Sequence, residues 1–147
     1  MSFNIKNVKI AFKILKDGEK VPVGYQYMDC HLVYDVKLDG FVWKTRMVAG
    51  GHMVATPAHM TYSSVVSQET VQIALTMAAL HNLEVATSNI QNAFLTAPCE
   101  EKIWTVLGQE FGDNCGKKAI IVRALYGLGS ASALFSEHIA DCMQHLG

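Results

Sequence analysis

Groups able to hold a metal, move a proton or attack a carbonyl are few in this 147-residue chain, and they are scattered. His138, Cys142 and His145 fall at i, i+4 and i+7 along one face of a C-terminal helical pattern. These are zinc-capable types, but a structural zinc site closes with four ligands. Only two neighbours on one helix readily converge and no fourth partner stands nearby, so the pattern reads as a helix face with an incidental cysteine. Glu100 and Glu101 are adjacent, and adjacent strand residues point to opposite faces. They do not form the paired carboxylates of a hydrolase. The serines and histidines, His52 and His59 among them, show no nucleophile-elbow spacing. Gly50-Gly51 and Gly127-x-Gly129 match neither the phosphate loop nor the dinucleotide fingerprint. They read as turns that need positive φ.

The stretch that stands out is Leu83 to Leu95, LEVATSNIQNAFL. It alternates like a strand as far as Ser88, then passes through polar residues into Phe94-Leu95. A strand ending in a polar side chain is a rigid way to present a reacting group. The residue presented is Asn89, where a carboxylate would be useful and no charge exists.

The elements that must position it follow from periodicity. Val8 to Leu15 alternates apolar residues with lysines and predicts a half-buried strand with a basic outer face. Asp17-Gly18 and Asp39-Gly40 are turn signals, flanking a Val- and Tyr-rich run from Val21 to Val36 and a strand from Phe41 to Val48. An antiparallel sheet of hairpins is expected there, with Lys44 and Arg46 on one face. Ser67 is a good N-cap, and Glu69 suits the positive end of a helix dipole. The apolar residues from Val71 to Leu80 nearly encircle that helix and predict that it is largely buried. Lys102 to Leu107 and Lys118 to Leu125 read as strands, and Ala131 to Leu146 as an amphipathic helix. The fold class expected is α+β.

Half of the residues are hydrophobic and 17% are charged, which suits a packed domain and argues against disorder. Residues 1–60 hold eight Lys/Arg against five Asp/Glu, and residues 61–147 hold four against eight. A mildly basic first half is ordinary, and a pI near 6.6 is below the range of dedicated nucleic-acid-binding domains. The four cysteines contain no Cys-x-x-Cys and read as free thiols. The N-terminus lacks a signal-peptide core, and Ile73 to Leu80 is too short to cross a membrane, so an intracellular location is expected.

Three segments, taken together, resemble one family. They are Lys44-Thr45-Arg46-Met47-Val48-Ala49-Gly50-Gly51-His52, then Ser88-Asn89-Ile90-Gln91-Asn92-Ala93-Phe94-Leu95, then Ala124-Leu125-Tyr126-Gly127-Leu128. In this order and at these intervals they look like the copia-type retrotransposon reverse transcriptase, from about Ala11 to Gly147. The resemblance implies antiparallel fingers hairpins over residues 1–60. Over residues 61–147 it implies part of a right-hand polymerase palm, with helices packed on the sheet. It implies template-directed nucleotidyl transfer by two Mg²⁺ or Mn²⁺ ions, with a primer–template and a deoxynucleoside triphosphate as partners. In the family an Asp stands where this chain has Asn89. Phe94 falls at an aromatic that stacks near the sugar, Lys44 and Arg46 lie on the strand that reaches over the triphosphate, and Tyr126-Gly127 match a turn near the template base.

The departures are as informative. Position 89 is Asn, no Asp-Asp pair occurs anywhere, and no Tyr-x-Asp-Asp hairpin is reached before Gly147. Gly129 and Ser136 stand where the family has Lys and often Arg, which removes charge along a phosphate path. An Asn offers one neutral carbonyl oxygen where a carboxylate offers two charged ones. The expectation is a truncated, catalytically inert remnant that holds no metal of its own, with an unpaired palm edge through which copies associate. Two other readings stand beside it. One is a noncatalytic nucleic-acid-binding module, and the other an unrelated α+β interaction domain whose motifs are coincidental.

Overall fold

The structure, a computed structural model, describes residues 8–37, 40–50, 63 and 65–145. In chain order it contains β1 (Phe12–Ile14), β2 (Gln26–Tyr27), β3 (Cys30–Lys37), β4 (Val42–Ala49), α1 (Gln68–Leu80), α2 (Ala93–Thr96), β5 (Ile103–Val106), a 3-10 segment (Gln109–Asn114), β6 (Lys118–Ile121) and α3 (Ala131–His145). At Lys37, Val42 and Lys44 the backbone alone is described. Helices and sheets are interleaved, so the α+β class expected from the sequence holds.

Two sheets form. One has four strands in the order β1-β6-β5-β2, and the other is the β3-β4 hairpin. The hairpin is the one expected around the second Asp-Gly turn, with Gly40 at φ 79°. Its register pairs Asp35 with Lys44 and Cys30 with Ala49. The four-stranded sheet is not a run of hairpins. β1 pairs antiparallel with β6, and β2 pairs parallel with β5. The run from Val21 to Val36 divides into β2 and β3. Turn residues settle only which neighbours fold back on each other; the partners of β1 and β2 are distant in sequence, where local signals say nothing.

Strand alternation splits the four-stranded sheet into two faces. Phe12, Ile103, Thr105, Ala119 and Ile121 point inward and are buried, whereas Lys13, Trp104, Val106 and Lys118 point outward. The inner face carries the core, which also takes in Met47, Leu95, Phe111, Leu125 and Leu134. Phe12 and Phe111 meet edge to face, with ring centroids 5.3 Å apart. Burying a large apolar side chain is worth roughly 1.5–3 kcal/mol, so this cluster dominates stability.

Two expectations fail together. The helix α1 has no buried residue; Ile73 is 64% exposed and Leu80 74%. The segment from Leu83 to Ser88 forms no strand. A strand exists through its ladder, and among the described residues nothing pairs with this one. The local start and stop of α1 are nonetheless well formed. The Thr70 N–H donates to Ser67 Oγ at 3.2 Å. At the other end Asn82 adopts φ 51°, its N–H bonds the Ala79 carbonyl, and the Leu83 N–H bonds Ala78 O at 2.8 Å. That is a Schellman stop with Asn at the left-handed position. Capping defines a helix's ends without burying its sides.

Candidate functional site

The site is built where the end of β4 meets the Tyr126-Gly127 turn. The Ala49 N–H donates to the Tyr126 carbonyl at 2.7 Å, and Val48 bridges to Tyr126. Gly127 has φ +90°, and a Cβ there would overlap the Ala49 carbonyl oxygen and crowd Val48 Cγ1. Only glycine allows both that dihedral and that approach. Among the glycines singled out for positive φ, Gly127 therefore needs it. Gly50 and Gly129 do not adopt it, and Gly51 lies outside the described residues.

The opposite wall is the segment after Leu83. Asn92 turns through φ 52° and leads into α2, whose Leu95 is buried. The exit from α2 is held by the Ala124 N–H to Ala97 O at 3.0 Å and the Cys99 N–H to Val122 O at 3.1 Å. Asn89 is thus carried by an irregular, exposed segment and not by a strand end.

Between these walls lies a cavity of about 370 Å³, lined by Thr45, Arg46, Met47, Asn89, Gln91, Asn92, Leu125 and Tyr126, among others. Three of the expected site residues, Asn89, Arg46 and Tyr126, therefore share one cavity, although they are far apart in sequence. Gly127 supports it from behind. Phe94 stands outside the lining and packs on Tyr126, with centroids 4.8 Å apart, and on Phe135 at 6.0 Å. Lys44 stands opposite Asp35 in the ladder, one residue before Thr45.

Sequence reasoning singled out neither Thr45 nor Gln91 and Asn92 as cavity residues. Their neighbours Arg46 and Asn89 were the signal available. Val8 also lines the cavity, and no local signal points to it. A second cavity of about 520 Å³ shares Gln91, Asn92 and Leu95 and adds Arg123. Arg123 Nη1 donates to the Thr96 carbonyl at 2.9 Å.

Among the described residues the cavity's electrostatics are set by amides and by Arg46. Arg46 Nη1 lies 3.3 Å from Asp35 Oδ2, with side chains 34% and 51% exposed. A pair that open to water is worth about 0–1 kcal/mol, and it occupies one of five guanidinium donors. Among the described residues no carboxylate lines the cavity. Mg²⁺ requires hard anionic oxygens to replace its waters. Neutral amides beside a guanidinium do not fit that ion.

The other candidates fall apart as a site. Cys142 Sγ and His138 Nε2 are 3.9 Å apart, but His145 Nδ1 lies 2.7 Å from the Asp141 carbonyl. Among the described residues no three His, Cys, Asp or Glu side chains gather around a metal position. Glu101 accepts a hydrogen bond from the buried Ser130 hydroxyl. Ser136 Oγ pairs with Ser63 Oγ at 2.8 Å. His52 and His59 lie outside the described residues. All four cysteines are free. Burial pushes the Cys30 and Cys99 thiols up to about 11, so neither is a ready nucleophile. Among the described residues no helix is long and apolar enough to cross a membrane.

The chain is thus an α+β domain with a polar cleft between a β-hairpin and a helix-turn segment. A family profile for reverse transcriptase (RNA-dependent DNA polymerase) matches residues 15–147, nearly the whole chain, and the chain belongs to that family. The match removes the reading in which the three motifs are coincidental, even though the strand expected before Asn89 is missing. Comparison with curated proteins and with solved structures finds no match.

Proposed function

We propose that this chain is a fingers-and-partial-palm segment of a copia-type reverse transcriptase that has kept the walls of its nucleotide cleft and lost the charge that drives catalysis. On this reading residues 1–60 act as fingers and residues 61–147 as the adjoining palm region. The observation that carries it is Asn89 beside Arg46 in a cavity that, among the described residues, no carboxylate lines. The polymerases of this family bind a template and deoxynucleotides and use Mg²⁺. Here Arg46 and the amides of Gln91 and Asn92 can hold a triphosphate by hydrogen bonds and charge. Among the described residues the cleft offers no carboxylate to hold the metal ions that would lower the pKa of an attacking 3′-hydroxyl. Removing one member of such a unit costs many orders of magnitude in rate.

Primer extension by the purified chain with Mg²⁺ or Mn²⁺ is the test. The expected outcome is no product; template-dependent product above a boiled control overturns the proposal. Nucleotide binding is expected without catalysis, weakened by Arg46→Gln and indifferent to Mg²⁺. In a chain extended by a Tyr-x-Asp-Asp hairpin, Asn89→Asp is expected to recover activity. If activity stays absent there, the deficit does not lie mainly at position 89.

A further inference from the structure

The second cavity shares Gln91, Asn92 and Leu95 with the Asn89 cavity but has its own cation, Arg123, and its own apolar residue, Ile10. Its volume of about 520 Å³ falls in the range of small-molecule sites. Backbone bonds from three parts of the chain frame it. The Val122 N–H donates to the Ala11 carbonyl at 2.8 Å, and Ile10 and Arg123 are the adjoining residues on the two segments. Arg123 forms an antiparallel bridge to Pro98, and the Ala124 N–H donates to Ala97 O at 3.0 Å. The backbone that carries Arg123 is therefore tied down on both sides.

The side chain is anchored as well. Arg123 Nη1 donates to the Thr96 carbonyl at 2.9 Å, which fixes the guanidinium and uses one N–H of its fork. Among the described residues Arg46–Asp35 is the one salt bridge, so Arg123 has no carboxylate within 4.0 Å. The Thr96 hydroxyl gives its hydrogen to Ala93 O at 2.6 Å. The exposed side chains of Gln91 and Asn92 bring amide donors to the same lining. Ile10, 59% exposed, and the buried Leu95 make the lining partly apolar. A carboxylate matches a guanidinium fork by two parallel bonds, and an apolar body on the same molecule covers Ile10. A phosphate ester brings a second charge and a third oxygen to a site with one cation. A neutral apolar molecule leaves the guanidinium unmatched.

We propose that this cavity binds a small organic carboxylate with an aryl or branched alkyl body, its carboxylate held by Arg123 and its body laid against Ile10 and Leu95. Because Thr96 already fixes the guanidinium, little freedom is lost when the ligand binds. Arg46 does not line this cavity and Arg123 does not line the other, so the site stands whether or not the Asn89 cavity takes a nucleotide.

The test is titration of the full chain with 4-phenylbutyrate, followed by nitrogen–proton correlation spectra. Saturable shifts are expected at the Arg123 side-chain N–H and at the side-chain amides of Gln91 and Asn92. The neutral analogue 4-phenylbutyramide is expected to bind about tenfold more weakly or less, since it cannot form a charge-assisted bond. Phenyl phosphate is expected to bind more weakly than the carboxylate. Arg123→Gln is expected to weaken 4-phenylbutyrate binding about tenfold, and Arg123→Lys to keep part of it. Ile10→Ser is expected to weaken it about threefold through lost apolar contact, and Arg46→Gln to leave it unchanged. Ile10 is exposed, so that variant and the amide comparison decide the matter even if Arg123→Gln does not fold. Absence of saturable shifts with 4-phenylbutyrate overturns the proposal. So do equal binding of the amide, tighter binding of phenyl phosphate, or a loss with Arg46→Gln equal to that with Arg123→Gln.

Discussion

Ala49 gives its backbone N–H to the carbonyl oxygen of Tyr126 at 2.7 Å, joining the end of the β3-β4 hairpin to a turn far along the chain. This bond builds one wall of the Asn89 cavity, because Thr45, Arg46 and Met47 lie upstream on the same strand and Tyr126 lines the cavity beside them. The next residue, Gly127, makes the approach possible. Gly127→Ala is expected to cost more than about 2 kcal/mol, from a positive φ and from overlap with Ala49. Urea denaturation measures it, and a midpoint equal to that of the parent chain contradicts this account of the turn.

Ser130 is fully buried and its hydroxyl donates to Glu101. Its carbonyl accepts the Leu134 N–H at 2.9 Å, which places it at the start of α3. Ser130→Ala leaves the Glu101 carboxylate without this donor. A loss of about 1–3 kcal/mol is expected. Glu101→Gln, which preserves an acceptor oxygen, is expected to lose less. Thermal melts of the two variants side by side provide the comparison.

The Cys30 and Cys99 thiols are raised from an ordinary 9.0 to about 11, chiefly by burial away from water. The folded chain therefore keeps these protons where the unfolded chain releases them. Above pH 9 the unfolded state binds fewer protons, so stability is complete below that pH and falls as pH rises from about 9 to about 11. The drop is on the order of 2 kcal/mol per thiol. Replacing both by Ser is expected to flatten the alkaline limb of a stability–pH curve. At neutral pH a thiol reagent is expected to modify the exposed Cys115 and Cys142 quickly and the partly buried Cys30 and Cys99 more slowly.

The apolar surface of α1 and the unpaired segment after it are expected to make copies of the chain associate. Ile73 and Leu80 on the helix and Val85 beyond it are each more than half exposed. Replacing Ile73 and Leu80 with Lys is expected to reduce concentration-dependent association in sedimentation velocity. The melting temperature of dilute protein is expected to stay the same, since neither side chain is buried. A lower melting temperature would mean that α1 packs in solution in a way its exposure does not indicate.

Much of the local structure was legible from residue order. The two Asp-Gly turns, the Ser67 cap, strands β4, β5 and β6 and the final helix all follow from interactions spanning a few residues. Dihedral preference, capping bonds and side-chain periodicity decide features on that scale. The family could be read too, because the three motifs keep their order and intervals. That Asn89 carries no charge is a property of residue type alone.

Tertiary structure decided the rest. Whether an apolar helix is covered and whether an alternating segment becomes a strand depend on a partner surface, so periodicity misjudged both α1 and Leu83 to Ser88. The pairing of β1 with β6 and of β2 with β5 joins residues remote in sequence, and the first of these brings Ile10 and Arg123 to one cavity. It also took the fold to bring Asn89, Arg46 and Tyr126 around one cavity and to set Phe94 behind Tyr126. Residue types determined that the described lining brings amides and a guanidinium and no carboxylate; long-range hydrogen bonds and core packing determined where the site stands.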